Sequence, residues 1–203
     1  MSTLFLNPHE SIDQTQHRLP HWQQDEVYVF ATCRLDDALP QSKLKAWTEE
    51  KQIWLAQHPL PWDEHTEEVF HERFSISIDQ WLDRGAGKCY LRDSDLAEVV
   101  AAALHHFDGA RYDLDSFVVM PNHVHVLFQP KRGETLAKVM KSWKGYTSRE
   151  LNRRLGRSGR IWQEDYWDRL IRSQRHLAWT REYIRQNPVK ARLTRISHRA
   201  GFD

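Results

Sequence analysis

The stretch from Ser116 to Pro130, Ser-Phe-Val-Val-Met-Pro-Asn-His-Val-His-Val-Leu-Phe-Gln-Pro, decides how the chain folds. Two apolar runs, 117–120 and 124–128, flank the breaker Pro121-Asn122. β-Branched and aromatic runs around a Pro-Asn pair predict two strands joined by a tight turn. Side chains alternate along a strand, so His123 and His125 share one face while Val124 and Val126 lie on the other. Two imidazoles two residues apart on a stiff strand form half of a metal site. The rest of the chain must then supply a further ligand, a reactive group and a substrate.

Before this hairpin, residues 1–25 read as polar and irregular, and 26–35 as a first strand by β-propensity and partial alternation. Helices are expected over 39–57, stopped by His58-Pro59-Leu60-Pro61, and over 63–84, capped by Asp63 and closed near Gly85. A third helix over 93–107 turns Leu96, Val99, Val100, Ala103, Leu104 and Phe107 inward. After the hairpin come a long amphipathic helix over 134–155, a strand within 161–172 and a final helix over 174–187 ended by Pro188. With 36–90 set aside as a helical insertion, the order is strand, helix, strand, strand, helix, strand and an extra helix. That order is the split βαβ of the α+β, ferredoxin-like class: an antiparallel sheet with helices packed on one face. Its first and third strands are central, which puts His123 and His125 in the middle of the sheet. One domain over 1–203 is expected, with a basic tail over 189–203 packed only in part.

The 203 residues are 40% hydrophobic and 28% charged, as in an ordinary globular domain. No apolar run approaches the roughly 20 residues that span a bilayer, and the N-terminus lacks the pattern of a signal peptide. A cytoplasmic protein without membrane contact is therefore expected. Cys33 and Cys89 make neither a disulfide framework nor a metal spacing. The net charge of +1 hides a division: residues 1–130 carry 10 Lys+Arg against 21 Asp+Glu, and residues 131–203 carry 19 against 7. Such a split suggests that one face meets a polyanion, with nucleic acid the foremost choice. Nine tryptophans supply core and, beside cations, surfaces that can stack on unpaired bases.

A lone His-x-His is common among surface and core histidines. The final helix adds a second observation, because Tyr183 and Asn187 lie four residues apart on one helical face, with Gln186 close to it. A phenol and a neutral oxygen ligand can thus project together towards the two imidazoles.

His123-Val124-His125 resembles the His-hydrophobic-His motif of the HUH endonucleases. Tyr183 followed by Asn187 and Pro188 resembles the catalytic helix of the single-tyrosine HUH transposases. With Arg18-Leu19-Pro20-His21-Trp22, Met120-Pro121-Asn122-His123-Val124-His125 and Tyr183-Ile-x-x-Asn187-Pro188-Val189-Lys190-Ala191, the chain is similar to the REP-associated tyrosine transposases over about 17–35 and 93–193. The insertion departs from the shortest members. The resemblance implies a 5′-phosphotyrosine at Tyr183 and a free 3′-OH. It implies Mg²⁺ or Mn²⁺ held by His123, His125 and Asn187, with Gln186 the alternative third ligand; the ligand types also permit Zn²⁺. It further implies single-stranded or hairpin DNA from palindromic repeat elements as substrate, for a monomer or a homodimer. Arg18, Lys141, Lys144, Arg153, Arg181 and Arg185 are the cations expected to meet that DNA. Two other readings compete: a nucleic-acid-binding module of the same fold with a dead site, and a metal-dependent hydrolase that uses water.

Overall fold

The computed structural model describes residues 4–7, 9–16, 20–59, 62–190 and 198–199. Arg18 and most of the basic tail lie outside the described residues. The chain contains a small hairpin, β1 (Asp13–Gln16) and β2 (Pro20–Gln23), and a larger sheet of β3 (Val29–Arg34), β4 (Tyr112–Val119), β5 (His123–Pro130), β6 (Trp167–Leu170) and β7 (His198–Arg199). The sheet order is β6-β3-β5-β4-β7, antiparallel throughout. Without β7 it is the expected ferredoxin-like arrangement, with β3 and β5 central. Both strands are covered on both faces, which is why their sequences are nearly continuous in apolar residues: every residue of β3 is buried, and all of β5 except Gln129.

Alternation along the central pair builds two separate layers. Val29, Ala31 and Cys33 sit beside Phe128, Val126 and Val124 and join the main core. The crossover helices α4 (Ser94–His105) and α5 (Leu136–Arg154) pack there; Trp143 of α5 meets Phe128 with ring centroids 4.9 Å apart. Asp93 caps α4 and Thr135 caps α5, each accepting from backbone N–H groups of the first turn. The opposite face carries Phe30, Leu127, Val118 and Met120, which cluster with Leu177 and Ile184 of a final helix spanning Gln174–Lys190.

The insertion folds as α1 (Gln41–Gln57), α2 (Glu64–Phe70), a π-helical stretch (His71–Ile76) and α3 (Ser77–Asp83). Numbered in chain order, the final helix is α6. The expected single helix over 63–84 is thus interrupted by wider π turns, which let both Phe74 and Ile78 reach the interior. Trp47, Trp54, Phe74, Ile78 and Leu82 all belong to the main core cluster, and Trp47 packs edge-on against Trp167 of β6 at 5.5 Å.

Three features depart from the sequence reading. The N-terminal segment is not all irregular: β1 pairs with β2 from Asp13↔Gln23 to Gln16↔Pro20. Long-range bonds hold it, since the Gln23 amide accepts from Leu136 N and donates to Glu134 O at the start of α5. The final helix does not end at Pro188 but continues to Lys190. Pro188 removes the ladder bond to the Ile184 carbonyl, and the helix runs only two residues beyond it. Lastly, two tail residues pair with Phe117 and Val118 and extend the sheet.

His21 pins β2 to β6. Its ring stacks on Tyr166 at 4.2 Å, Nε2 lies 2.9 Å from Asp165, and Nδ1 bonds Asp168. Burial alone lowers the imidazole pKa, but the two carboxylates outweigh it and hold His21 up at about 9. A raised histidine contributes stability fully below its unfolded value, near 6.5, and loses it as pH rises through about 9. The urea midpoint is expected to fall across that window. His21→Gln should abolish this slope and cost about 3 kcal/mol at pH 6.5, because it leaves Asp168 buried without its charge partner.

Candidate active site

The register Thr32↔His125 and Arg34↔His123 sets two histidines, a threonine and an arginine on the face of the sheet that α6 covers. His123 and His125 are 1% and 0% exposed, and their Nε2 atoms stand 3.1 Å apart. The outer nitrogens are engaged. His123 Nδ1 is 2.8 Å from Asn122 Oδ1, and His125 Nδ1 is 2.8 Å from Thr32 Oγ1. Asn122 Nδ2 donates to Leu82 O and Ala86 O, at 3.2 and 3.0 Å, so its oxygen must face His123. A carbonyl oxygen only accepts, which fixes the proton of His123 on Nδ1 and turns the Nε2 lone pair inward. Burial pushes His123 down to about 3; burial and the neighbouring His123 push His125 well below its usual range. Both rings are therefore neutral at physiological pH, the form that binds metals.

Tyr183 enters from α6. Its hydroxyl is 3.5 Å from His125 Nε2, and its ring is edge-on to Phe30 and stacked on Trp179. One turn further along, Asn187 is 1% exposed and its Oδ1 is buried without a hydrogen-bond partner among the described residues. A buried amide oxygen left unbonded is costly and calls for a donor or a cation. Gln186 turns elsewhere, donating to Glu182 at 2.7 Å. Asn187 is thus the better candidate for a third ligand. The donor set fits a divalent ion: two imidazole nitrogens each about 2.1 Å from one ion at a near-right angle are spaced about as these are. Among the described residues no group of three His, Cys, Asp or Glu gathers for a metal, here or elsewhere, so a third ligand at this site must be of another type.

The cations expected to meet DNA are not brought together here. Lys141, Lys144 and Arg153 belong to α5, across the sheet from the histidines. Lys144 donates to Glu164 O, and Arg153 pairs with Glu150. Arg185 pairs with Glu182 on the exposed side of α6. Arg181 makes a forked ion pair with Asp115, the extra residue of a bulge in β4, and this pair ties α6 to the sheet. Arg34, unremarked in the sequence, lies beside His123 instead. It is 3% exposed, its guanidinium is 4.1 Å from the Trp167 ring, and Nε and Nη1 have no hydrogen-bond partner. Burial lowers its pKa to about 10, so it stays cationic at neutral pH. An arginine closing a largely apolar strand was the available signal.

Comparison with known proteins bears on the same elements. Residues 90–187 match the family described as IS200-like transposases. The match covers just under half of the chain. It contains His123, His125, Tyr183 and Asn187, and it leaves out the N-terminal hairpin and nearly all of the insertion. A protein of Haemophilus influenzae described as a REP-associated tyrosine transposase is 29% identical over 115 residues, which are 51% of this chain. The match spans 64% of that relative's length. Among solved structures, a REP-associated tyrosine transposase bound to a REP hairpin aligns at 14% identity, over 87% of this chain and 73% of its own, with a TM-score of 0.47. A transposase from Deinococcus radiodurans R1 aligns at 13% identity, over 81% and 93%, with a TM-score of 0.37.

The Asn122 amide orients His123 without touching any ligand position. Asn122→Ala should lower Mn²⁺ affinity about 10- to 100-fold, the usual cost of losing an outer hydrogen-bond partner, while far-ultraviolet circular dichroism stays unchanged. Calorimetric titration of wild type and variant checks this; equal affinities would remove Asn122 from the account.

Proposed function

We propose that this protein is a metal-dependent endonuclease and strand transferase acting on single-stranded or hairpin DNA, cutting through a covalent 5′-phosphotyrosine at Tyr183. The observation that carries the reading is the Tyr183 hydroxyl 3.5 Å from His125 Nε2, which itself lies 3.1 Å from His123 Nε2, with the buried Asn187 oxygen one turn further along the same helix. The match of residues 90–187 to the IS200-like transposase family supports it. The relative's REP association makes palindromic hairpins the substrate of choice.

In this reading His123, His125 and Asn187 hold a divalent ion, Mg²⁺ or Mn²⁺, which polarises the scissile phosphate when bound. Tyr183 Oη attacks phosphorus in line, loses its proton, and displaces the 3′-oxygen of the preceding nucleotide. The bond that forms keeps the phosphodiester's energy for rejoining, which water would dissipate. Arg34 supplies a fixed charge beside His123, suited to the growing negative charge on the phosphoryl oxygens. Low exposure strengthens both effects, since charges interact more strongly where water is excluded. A water-using hydrolase would leave the proximity of Tyr183 to His125 without purpose.

Two variants separate the roles. Tyr183→Phe should keep the fold and hairpin binding but reduce cleavage on the order of 10³-fold or more, as loss of a nucleophile does. His123→Ala should retain Tyr183 yet raise the Mn²⁺ needed for half-maximal cleavage, with partial rescue at high concentration. A gel assay with end-labelled hairpin DNA measures both. Undiminished cleavage by Tyr183→Phe would overturn the transferase reading in favour of hydrolysis.

A further inference from the structure

A cavity of about 110 Å³ opens between the β6 edge of the sheet and the insertion. Trp22, Trp47, Trp62 and Trp167 line it with Phe70 and Phe74. Its inner wall is shared with the candidate active site. Thr32 and Phe30 belong to that wall, and Thr32 bonds His125 while Phe30 stacks on it with centroids 5.5 Å apart. Arg169, also on the wall, lies 5.8 Å from the ring of Trp179, which in turn stacks on Tyr183. Arg34 rests on Trp167 from the other side. A strand whose phosphate reached Tyr183 would therefore carry its neighbouring nucleotide to the cavity's edge.

The lining has the chemistry of a base-binding site. An apolar cavity of about 150 Å³ holds a whole benzene ring, so this one, at about 110 Å³, takes the edge of a planar base inserted from its open side. Aromatic walls offer stacking, to which any base responds. Lys51 adds one polar element. Its ammonium lies 5.1 Å from the Trp47 ring and 5.3 Å from the Phe70 ring, within electrostatic reach of Asp168 on the cavity wall and of Asp165, and among the described residues it makes no hydrogen bond or close ion pair. A lysine held among aromatics with unused N–H groups is suited to a carbonyl oxygen, the acceptor it takes on guanine. The insertion, absent from the family-matched segment, would thus supply recognition and leave the chemistry to the sheet and α6.

We propose that the cavity takes one unstacked nucleobase of the DNA strand being cut, from a nucleotide next to the scissile phosphate, and that Lys51 donates to a carbonyl of that base. This inference rests on the active-site reading above. Guanine, cytosine and thymine offer such a carbonyl, whereas adenine does not, so adenine is disfavoured at that position.

The test uses the full chain, Mn²⁺ and single-stranded DNA with a randomised region. Strands captured covalently on the protein are recovered and sequenced. One position beside the cut should be depleted of adenine, and Lys51→Met should erase that depletion there while leaving preferences elsewhere intact. Trp62→Ala should reduce capture about 10- to 100-fold through lost stacking. An abasic nucleotide at the same position should depress capture by wild type equally and have no further effect on the variant. If Trp62→Ala fails to fold, Lys51→Met decides the matter. Efficient capture with the same base preferences in wild type and Lys51→Met would overturn the pocket and leave Tyr183 standing. No capture on any strand would overturn the active-site reading and the pocket with it.

Discussion

The antiparallel pairing of β3 with β5 is the constraint on which the rest depends. Because it sets Thr32 opposite His125 and Arg34 opposite His123, the four polar groups that the strands give to the candidate site lie on one face of the sheet, where Tyr183 of α6 meets them. A slip of one residue would turn both histidines into the layer of α4 and α5 and send Val124 and Val126 to the other side. The apolar alternation that drives core formation is thus the same alternation that orients the site. Covering both faces has an electrostatic consequence. It strips water from two imidazoles, keeps them neutral, and leaves Arg34 and the Asn187 oxygen with unmet bonding capacity. Unmet bonds of this kind are costly in a folded protein and are retained where a ligand completes them.

Around that pair, each packed element adds one positional restraint. The Asp115–Arg181 pair and the Leu177–Ile184 cluster seat α6 so that Tyr183 faces His125. Asn122 joins the hairpin turn to the end of the insertion and sets the tautomer of His123. His21 fastens β2 to β6. The site is therefore made by residues far apart in sequence, on elements whose positions are fixed by buried polar contacts more than by apolar area alone.

Much of this was legible because it is periodic. The run 117–128 gave the hairpin, its period of two gave the shared face of the histidines, and the spacing of four gave the common side of Tyr183 and Asn187. The order of elements led to the sheet order and to the packing of the crossover helices on one face of it. What escaped was contextual. The hairpin of β1 and β2 carries little strand signal and depends on Gln23 capping α5. Asn122 read only as a breaker, since nothing local announces two carbonyls arriving from residues 82 and 86. Arg34 was hidden within a strand, and Arg181 read as a DNA contact because its partner Asp115 is exposed to it only by a bulge. Charge runs on α5 suggested a phosphate track beside the site; the fold puts them on the far layer, because an amphipathic helix over the core must turn its lysines outward.

The central claim is that Tyr183 becomes covalently joined to DNA. Mass spectrometry of the tryptic digest, after reaction with hairpin DNA in ¹⁸O-labelled water and nuclease trimming, tests it most directly. The account predicts a nucleotide attached to the peptide Glu182-Tyr183-Ile184-Arg185, with no ¹⁸O in the linking phosphate. Cleaved DNA bearing ¹⁸O on its new 5′-phosphate, and an unmodified peptide at every time point, would contradict it.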